Sequence, residues 1–272
     1  MILCYYKFIK NVKLKIIIEK FFKINMNNIK FALLASILFC TVILNGFAQE
    51  VNVTDKKLKE KNKEMNYEIS GVYPQVDFGP DALMGMRGVA GDINVALDTL
   101  VLTQENEFKK WVSEINSAKF GKSTWKIKYE TATANGSIFS FMLQVFSNPA
   151  GAAHPYTYDV SFNYSPTSVG VLKISDLFLS GSGYLKYISD YSIKSLKSFA
   201  KDAALMNADK MIEDGAGQKE ENYKVFNIKK DALIITFNPG QALPSVIGIK
   251  TVSIPLSELR SMIDPKGPLE GM

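Results

Sequence analysis

A chain of 272 residues, of which 47% are hydrophobic and 22% are charged, is long and apolar enough to bury a core, which excludes an intrinsically disordered protein. Its 32 basic and 27 acidic residues give a formal net charge of +5. One histidine and two cysteines are too few for the zinc-binding and disulfide-rich classes of protein.

The N-terminus is typical of an exported protein. Residues 31–47 (FALLASILFCTVILNGF) form an apolar run that follows a lysine and is closed by the small residue Ala48, which is the pattern of a signal peptide. We predict a signal peptide over 26–48, cleaved so that the mature chain begins at Gln49. Residues 1–25 are a doubtful extension, because a start at the methionine that follows them gives a better signal peptide.

Removal of this segment changes the charge of the chain. Residues 1–48 contain seven lysines and one glutamate, so the totals fall from 32 basic and 27 acidic residues to 25 and 26, a net charge of −1. The basic character therefore belongs to the leader and does not indicate a nucleic-acid partner. Cys4 and Cys40 also lie in the leader, so the mature chain contains no cysteine. A lipid on Cys40, or retention of the apolar run as a membrane anchor, are the alternatives to cleavage.

The chain after the leader predicts a first α+β subdomain. Residues 49–66 are charged and almost free of large apolar groups, which predicts a solvated linker. The subdomain itself, 67–150, opens with a strand-like segment and contains an amphipathic helix over roughly 92–118. Two alternating segments then flank Asn135-Gly136, the strongest short signal for a hairpin turn.

A second subdomain is predicted over 151–265. It begins with a strand whose aromatic and branched residues recur at every second position and so share one face. A helix follows from residue 182 or 183 towards Ile212, then two alternating segments, a short closing helix and a polar tail over 266–272. Because hairpins and helices follow one another without regular βαβ alternation, the fold class is α+β with mainly antiparallel sheets, two long helices and two successive helix-plus-hairpin subdomains.

The order of motifs in this second half resembles a known family. The segment GAAHPYTYDVSFNYSPTSVGVLKISDLF, the helix YLKYISDYSIKSLK and the closing block ALIITFNPGQALPSVIGIKTVSIPLSELRSMI are similar to the extracellular domain of RsiV-type anti-sigma factors, which is also found at the N-terminus of PdaC-type peptidoglycan deacetylases. The resemblance covers about 200 residues and rests on the order of short motifs. It implies a cell-envelope module that senses lysozyme in one branch and accompanies a peptidoglycan-modifying domain in the other.

The residues themselves offer little catalytic machinery. A zinc site needs three or four ligands, and no G-x-S-x-G, phosphate-loop or EF-hand pattern occurs. The single histidine, His154, precedes a proline at the entrance of the aromatic strand, where we expect a structural role with a buried hydrogen bond. We therefore predict no catalytic residue, no metal site and no cofactor.

The candidate binding residues are His154 and a rigid proline- and glycine-containing loop with Asn238, Pro239 and Pro244, because rigid loops carry recognition at little entropic cost. An equal alternative is that this loop only terminates a strand. The segment MIEDGAGQKEE (211–221) is the best candidate for an acidic surface that could contact a basic protein.

Three functions are compatible with these observations. The leading hypothesis is an exported, periplasmic or extracellular, non-enzymatic module that recognises a wall polymer or a wall-attacking enzyme such as lysozyme, with membrane contact only through the signal segment. The alternative is a hydrolase of cell-wall sugar or peptide that uses Asp159 and Asp176, provided that the two carboxyl groups face one cleft. A purely structural periplasmic protein is the third.

Overall fold

The computed structural model describes residues 51–168 and 170–270. The predicted extension, signal peptide and cleavage site lie outside these residues. Within the described ranges, no helix is both long enough and apolar enough to cross a membrane.

The first part of the described chain forms a six-stranded sheet and one long helix. Its elements are β1 (Asn52–Asn62), β2 (Tyr67–Asp77), α1 (Met84–Glu114), β3 (Ser123–Ala134), β4 (Phe139–Asn148), β5 (Tyr156–Ser165) and β6 (Gly170–Val171). The strand order is β1-β2-β3-β4-β5-β6. Neighbouring strands are antiparallel, except that β2 and β3, which α1 connects, are parallel.

The second part forms a three-stranded antiparallel sheet with its own helices. Its elements are α2 (Tyr184–Asp202), α3 (Asp209–Gly215), β7 (Phe226–Ile228), β8 (Ala232–Phe237), β9 (Lys250–Pro255) and α4 (Leu256–Leu259), with strand order β7-β8-β9. The predicted α+β class with mainly antiparallel sheets is thereby confirmed.

One face of the six-stranded sheet carries the first core. Residues that pair across β3, β4 and β5 share this face, and α1 covers it; the fully buried members include Ile93, Leu97, Trp125, Phe139, Phe141 and Leu143. The predicted alternation of β5 is confirmed, because Tyr158, Phe162 and Tyr164 belong to this cluster. The predicted turn is also present, since Gly136 adopts a φ of +83° between β3 and β4.

The predicted linker over 49–66 is wrong, because residues 52–62 are strand β1, paired with β2 along its whole length. Alternate charged side chains of β1 find partners at α1. Lys56 Nζ lies 2.8 Å from both carboxylate oxygens of Asp98, and Glu60 accepts hydrogen bonds from Tyr67 Oη at 2.5 Å and from Lys109 Nζ at 2.7 Å. A strand whose only apolar residues are Val53 and Leu58 is thus held at the sheet edge by backbone pairing, by ion pairs and by the packing of these two side chains on the first core.

The helix boundaries also differ from those predicted. α1 begins eight residues before residue 92 and includes three glycines of low helix propensity, which obscured its first turns. It ends before Asn116, whose φ of +49° is left-handed. The second predicted helix is divided into α2 and α3, because Ala204 and Asn207 between them also have positive φ values.

The structure also corrects two further predictions: the boundary between the two subdomains at residue 150, and the polar tail over 266–272. β5 lies after residue 150 but pairs with β4, so the two predicted subdomains share one sheet. In the tail, Leu269 is only 4% exposed and packs into the second core. Two successive turns fold this segment back onto the protein. In the first, Gly267 N–H donates to the Asp264 carbonyl, and in the second, Glu270 N–H donates to the Gly267 carbonyl.

The two sheets meet at a set of short polar side chains that we call the polar seam: Thr133, Ser140, Ser161 and Asn163. These side chains stand on the second face of the six-stranded sheet and bond the outer edge of β7, whose three residues are buried. The contacts are Phe226 N–H to Ser161 Oγ at 3.1 Å, Asn163 Nδ2 to Phe226 O at 2.8 Å, Ile228 N–H to Ser140 Oγ at 3.0 Å, and Thr133 Oγ1 to Ile228 O at 2.7 Å. A buried strand edge needs such partners because unpaired backbone groups are unfavourable away from water.

Candidate functional site

A groove of about 450 Å³ opens beside the polar seam, at the point where the chain leaves β6. Its volume lies within the range of about 300–1,000 Å³ that is usual for ligand sites. Its lining residues are Leu172, Lys173, Ile174, Glu220, Glu221, Tyr223, Lys224 and Phe226. The groove therefore joins the segment after the first sheet to the segment that leads into β7.

The groove combines an apolar floor with charges of both signs. Leu172, Ile174, Tyr223 and Phe226 are buried, whereas Lys173, Lys224 and Glu221 are exposed and Glu220 is half-buried. Among the ion pairs of the described residues, none includes these two lysines or two glutamates. All four charges are thus available to a ligand.

One of the acidic groups is fixed in position. Ser175 Oγ donates a hydrogen bond of 2.7 Å to Glu220 Oε1. Burial raises the pKa of the nearby Tyr184 phenol, and the negative charge of Glu220 raises that pKa further. The Tyr184 ring in turn stacks on Phe178 with a centroid distance of 4.5 Å. Glu220 and Glu221 end the segment 211–221 that the sequence indicated as an acidic surface.

A second groove, of about 510 Å³, lies between the β7–β8 turn and the C-terminal turns. Part of its wall is Leu269 and Glu270, the last residues that the structure describes. Its described lining includes no aromatic residue, whereas the groove beside the polar seam has Tyr223 and Phe226 in its floor and is therefore the candidate site.

Asp159 occupies a buried position on the second face of the six-stranded sheet. Asp159 is 6% exposed, and Gln144 Nε2 donates a hydrogen bond of 3.1 Å to its Oδ1. Burial raises the pKa of this carboxyl group, and the neighbouring Glu130 adds to the increase while Gln144 and Lys128 oppose it. Asp159 is therefore a carboxyl group whose charged form the fold disfavours.

The amide of Asn238 is engaged by the backbone of this same residue. Asp159 N–H donates to Asn238 Oδ1 at 2.8 Å, and Asn238 Nδ2 donates to Asp159 O at 2.9 Å. The carboxamide thus imitates a peptide group and satisfies the free edge of β5. Of its two neighbours in the predicted binding loop, Pro239 is half-buried and Pro244 is exposed. A ligand role for these three residues stays a prediction.

His154 does not have the buried hydrogen bond that the sequence led us to expect. The residue is exposed, and the hydrogen bond of its ring joins Nδ1 to the carbonyl of the adjacent Pro155 at 3.2 Å. The expected burial of this hydrogen bond is therefore wrong, because most residues of the turn that precedes β5 are exposed to solvent. Its role as a binding residue stays a prediction.

The two acids of the hydrolase hypothesis have separate structural partners. Asp176 Oδ2 accepts the backbone N–H of Lys173 at 2.7 Å and so closes the short 3₁₀ turn Ile174–Leu177. Asp159 is held by Gln144 on the sheet. Within the described residues, no group of three or more histidine, cysteine, aspartate or glutamate side chains is placed to hold a metal ion.

Sequence reasoning missed most of the groove. Lys173, Lys224 and the aromatic pair Tyr223 and Phe226 come from segments that are about 50 residues apart in the chain and that only the packing of the two sheets brings together. The one signal that pointed here was the acidic composition of residues 211–221.

Part of the groove lies in a segment of the chain that matches a known family. Residues 175–257 match a family described as "Protein of unknown function (DUF3298)". The match covers α2, α3 and the whole three-stranded sheet, and it includes Glu220, Glu221 and Lys224 of the groove.

Among curated proteins, the chain is similar to the peptidoglycan-N-acetylmuramic acid deacetylase PdaC of Bacillus subtilis, with 28% identity over 113 residues. The aligned residues cover 42% of this chain and 24% of PdaC. The match thus spans about a quarter of that relative. The immunogenic protein MPT64 of Mycobacterium tuberculosis is 24% identical over 199 residues, 69% of this chain and 84% of MPT64. An esterase of the same organism is 30% identical over 120 residues, 44% of this chain and 50% of the esterase.

Two crystal structures share the fold. A DUF3298 family protein of Bacteroides fragilis superposes with a TM-score of 0.55 at 11% identity, covering 79% of this chain and 93% of that one. A DUF3298 family protein of Pseudomonas aeruginosa gives a TM-score of 0.55 at 10% identity, covering 80% and 95%. Residues 175–257 therefore match the DUF3298 family, and the predicted resemblance of the chain to PdaC-type peptidoglycan deacetylases is confirmed.

Proposed function

We propose that this protein is an exported, non-enzymatic binding module of the bacterial cell envelope and that the groove beside the polar seam binds a wall polymer. The observation that carries the proposal is the pairing of an apolar floor with unpaired charges of both signs. The similarity to PdaC, whose name states that it acts on peptidoglycan, supports the cell wall as the setting. Export rests on the predicted signal peptide over 26–48.

The charges of the groove favour the peptide part of such a polymer. A wall stem peptide carries both carboxylate and ammonium groups, which complement Lys173 and Lys224 on one side and Glu220 and Glu221 on the other. None of these four side chains is neutralised by an ion pair within the described residues, so each can pair with a charge of the ligand. The fixed position of Glu220 reduces the entropy that binding would remove.

A hydrolase is the second candidate, and the similarity to an esterase favours it. Its acids would be Asp159 and Asp176, which the structure engages with Gln144 and with a backbone N–H. Substrate cleavage that depends on either residue would establish this alternative.

The test is a calorimetric titration of the exported protein with a free wall stem tetrapeptide. We expect saturable binding with unchanged peptide mass, and at least tenfold weaker binding by the double variant Glu220→Gln, Glu221→Gln. The matched control is Glu64→Gln, which removes an exposed acid in the turn between β1 and β2.

Each other outcome contradicts the proposal in a defined way. Equal affinity of the groove variant and the control would remove the groove as the site. Cleaved peptide, sugar or acetate that disappears in Asp159→Asn or Asp176→Asn would establish the hydrolase. Binding of lysozyme but of no wall fragment would replace the polymer by a protein partner, and no binding to any envelope component would leave only a structural role.

A further inference from the structure

A second surface with exposed aromatic rings lies at the end of the molecule where β5 begins. Tyr156, the first residue of β5, is 47% exposed, and Phe120, which follows α1 in a short 3₁₀ turn, is 67% exposed. Neither residue lines the groove beside the polar seam. Exposed apolar side chains that lie at one end of a protein are candidates for an interaction site.

The ring of Tyr156 is held in one orientation. It stacks on Tyr158 with a centroid distance of 5.6 Å and an interplanar angle of 19°. Tyr158 is itself anchored, because its hydroxyl donates to Gln104 Oε1 of α1 at 3.0 Å. Burial raises the pKa of the Tyr158 phenol, which keeps this donor protonated. Tyr156 therefore presents a flat, preorganised face to solvent.

Phe120 belongs to the same end of the molecule. A Cβ placed on Gly151 would lie 2.9 Å from Cδ2 of the Phe120 ring, so this ring rests on the turn that leads into β5. The turn is fixed by the backbone N–H of Ala150, which donates to Ser123 Oγ at 2.9 Å. His154, exposed in this turn, lies two residues before Tyr156.

The course of α1 adds polar groups beside these rings. Tyr164 is near Asp92 and Tyr158 is bonded to Gln104, so α1 runs antiparallel to β5. The twelve residues from Asp92 to Gln104 rise about 18 Å along the helix, and the six residues from Tyr158 to Tyr164 span about 20 Å along the strand. The two elements therefore cover about the same distance side by side. Beyond Gln104, on the same face of the helix, α1 carries the exposed Glu107 and then the half-buried Trp111.

The negative charge of Glu107 reaches this surface. Together with the burial of the ring and the neighbouring Tyr156, it contributes to the raised pKa of Tyr158. We name the exposed and half-buried residues at this end of the molecule, Glu107, Trp111, Phe120, His154 and Tyr156, the aromatic end.

We propose that the aromatic end is a glycan-binding subsite for a chain of N-acetylated sugars. A pyranose ring has one face of C–H groups, which packs on a fixed aromatic ring, and a rim of hydroxyl and acetamido groups, which needs acceptors and donors. Tyr156 and Phe120 supply the aromatic rings for the C–H face. The Glu107 carboxylate and the His154 imidazole supply the acceptors and donors for the polar rim. The inference rests on the proposed function only for the choice of a wall polymer, of which the groove takes the peptide and the aromatic end the glycan.

The probe is tetra-N-acetylchitotetraose, which has N-acetylated sugars and no peptide, titrated into the full-length exported protein. We expect saturable binding that Tyr156→Ala weakens at least tenfold, while Tyr156→Phe, which keeps the ring, stays within about twofold of wild type. Val246→Ala is the control, because it shortens another highly exposed side chain outside this surface. Tryptophan fluorescence gives a second readout, since Trp111 is half-buried and Trp125 fully buried, and we expect the sugar-dependent change to disappear in Trp111→Phe.

No binding of the sugar to wild type, or equal binding by Tyr156→Ala and wild type with an unchanged unfolding temperature, would overturn the aromatic end as a glycan site. Neither result affects the stem-peptide titration of the groove variants. Conversely, loss of the groove effect with a retained Tyr156→Ala effect would contradict the proposed function of the groove and leave the glycan subsite in place.

Discussion

Strands β1 and β7 are both attached to the rest of the protein through polar side chains, but in opposite surroundings. Alternate residues of β1 are exposed, and its ion pair between Lys56 and Asp98 joins two side chains that are each 42% exposed. All three residues of β7 are buried, and their outer backbone groups bond the four side chains of the polar seam.

The difference shows how much the surroundings decide the value of a polar contact. An exposed ion pair exchanges water for a partner at little gain and is screened by salt. A buried backbone group that loses its partner has no water to replace it, so the unpaired state is unfavourable. The seam should therefore be essential for the stability of the fold, and the β1 contacts should be dispensable.

The largest expected effect is in the seam. Asn163→Leu removes the donor to Phe226 O and the acceptor for Ser140 Oγ, both buried. Two unpaired buried groups predict a loss of about 3 kcal/mol in the free energy of unfolding, measured by urea denaturation. The matched control is Asn106→Leu on the exposed side of α1, for which we expect a change below about 0.5 kcal/mol. Equal effects at the two positions would contradict the comparison.

Asp159 sharpens the comparison, because its buried charge is only partly compensated. Burial raises its pKa in the folded state, so its protonated form favours the fold below the ordinary carboxyl pKa, and this contribution is lost as the pH rises through the raised value. Asp159→Asn keeps the acceptor for Gln144 and should increase stability by roughly 1 kcal/mol at pH 7. At pH 3 the gain should disappear. A loss of stability at pH 7 would show that the carboxylate is favourable in the fold.

The contacts of β1 should have a smaller, salt-dependent effect. Lys56→Met removes the ion pair with Asp98, and we expect a loss of about 0.5 kcal/mol at low ionic strength. In 1 M sodium chloride the variant and the wild type should unfold at nearly the same urea concentration, because the Debye length there is about 3 Å. A loss that persists in salt would place β1 in the same class as β7.

His154 should have the smallest effect. Because the ring is exposed and bonds only the adjacent carbonyl, His154→Gln should change the free energy of unfolding by less than about 0.5 kcal/mol. Thermal unfolding at neutral pH checks this. A loss of 1–2 kcal/mol would restore the buried structural role that the sequence alone suggested.

The sequence by itself determined the local elements of this protein. A period of two defined β5, Asn135 and Gly136 defined the β3–β4 turn, and apolar spacing defined most of α1 and α2, because each of these signals arises from residues that are close in the chain. The resemblance to PdaC also came from the sequence.

Only the tertiary structure decided which elements meet. The residues of β1 were predicted to be a linker because the partners of Lys56 and Glu60 are more than 40 residues away in α1. The polar seam could not be predicted, since Ser140 and Asn163 are ordinary sheet residues until the edge of β7 is placed against them. The groove arises from the same packing, because its lysines and glutamates come from segments that are joined only when the two sheets close on each other. Hydrophobic periodicity records which face of an element is buried, but not which distant polar group it will meet.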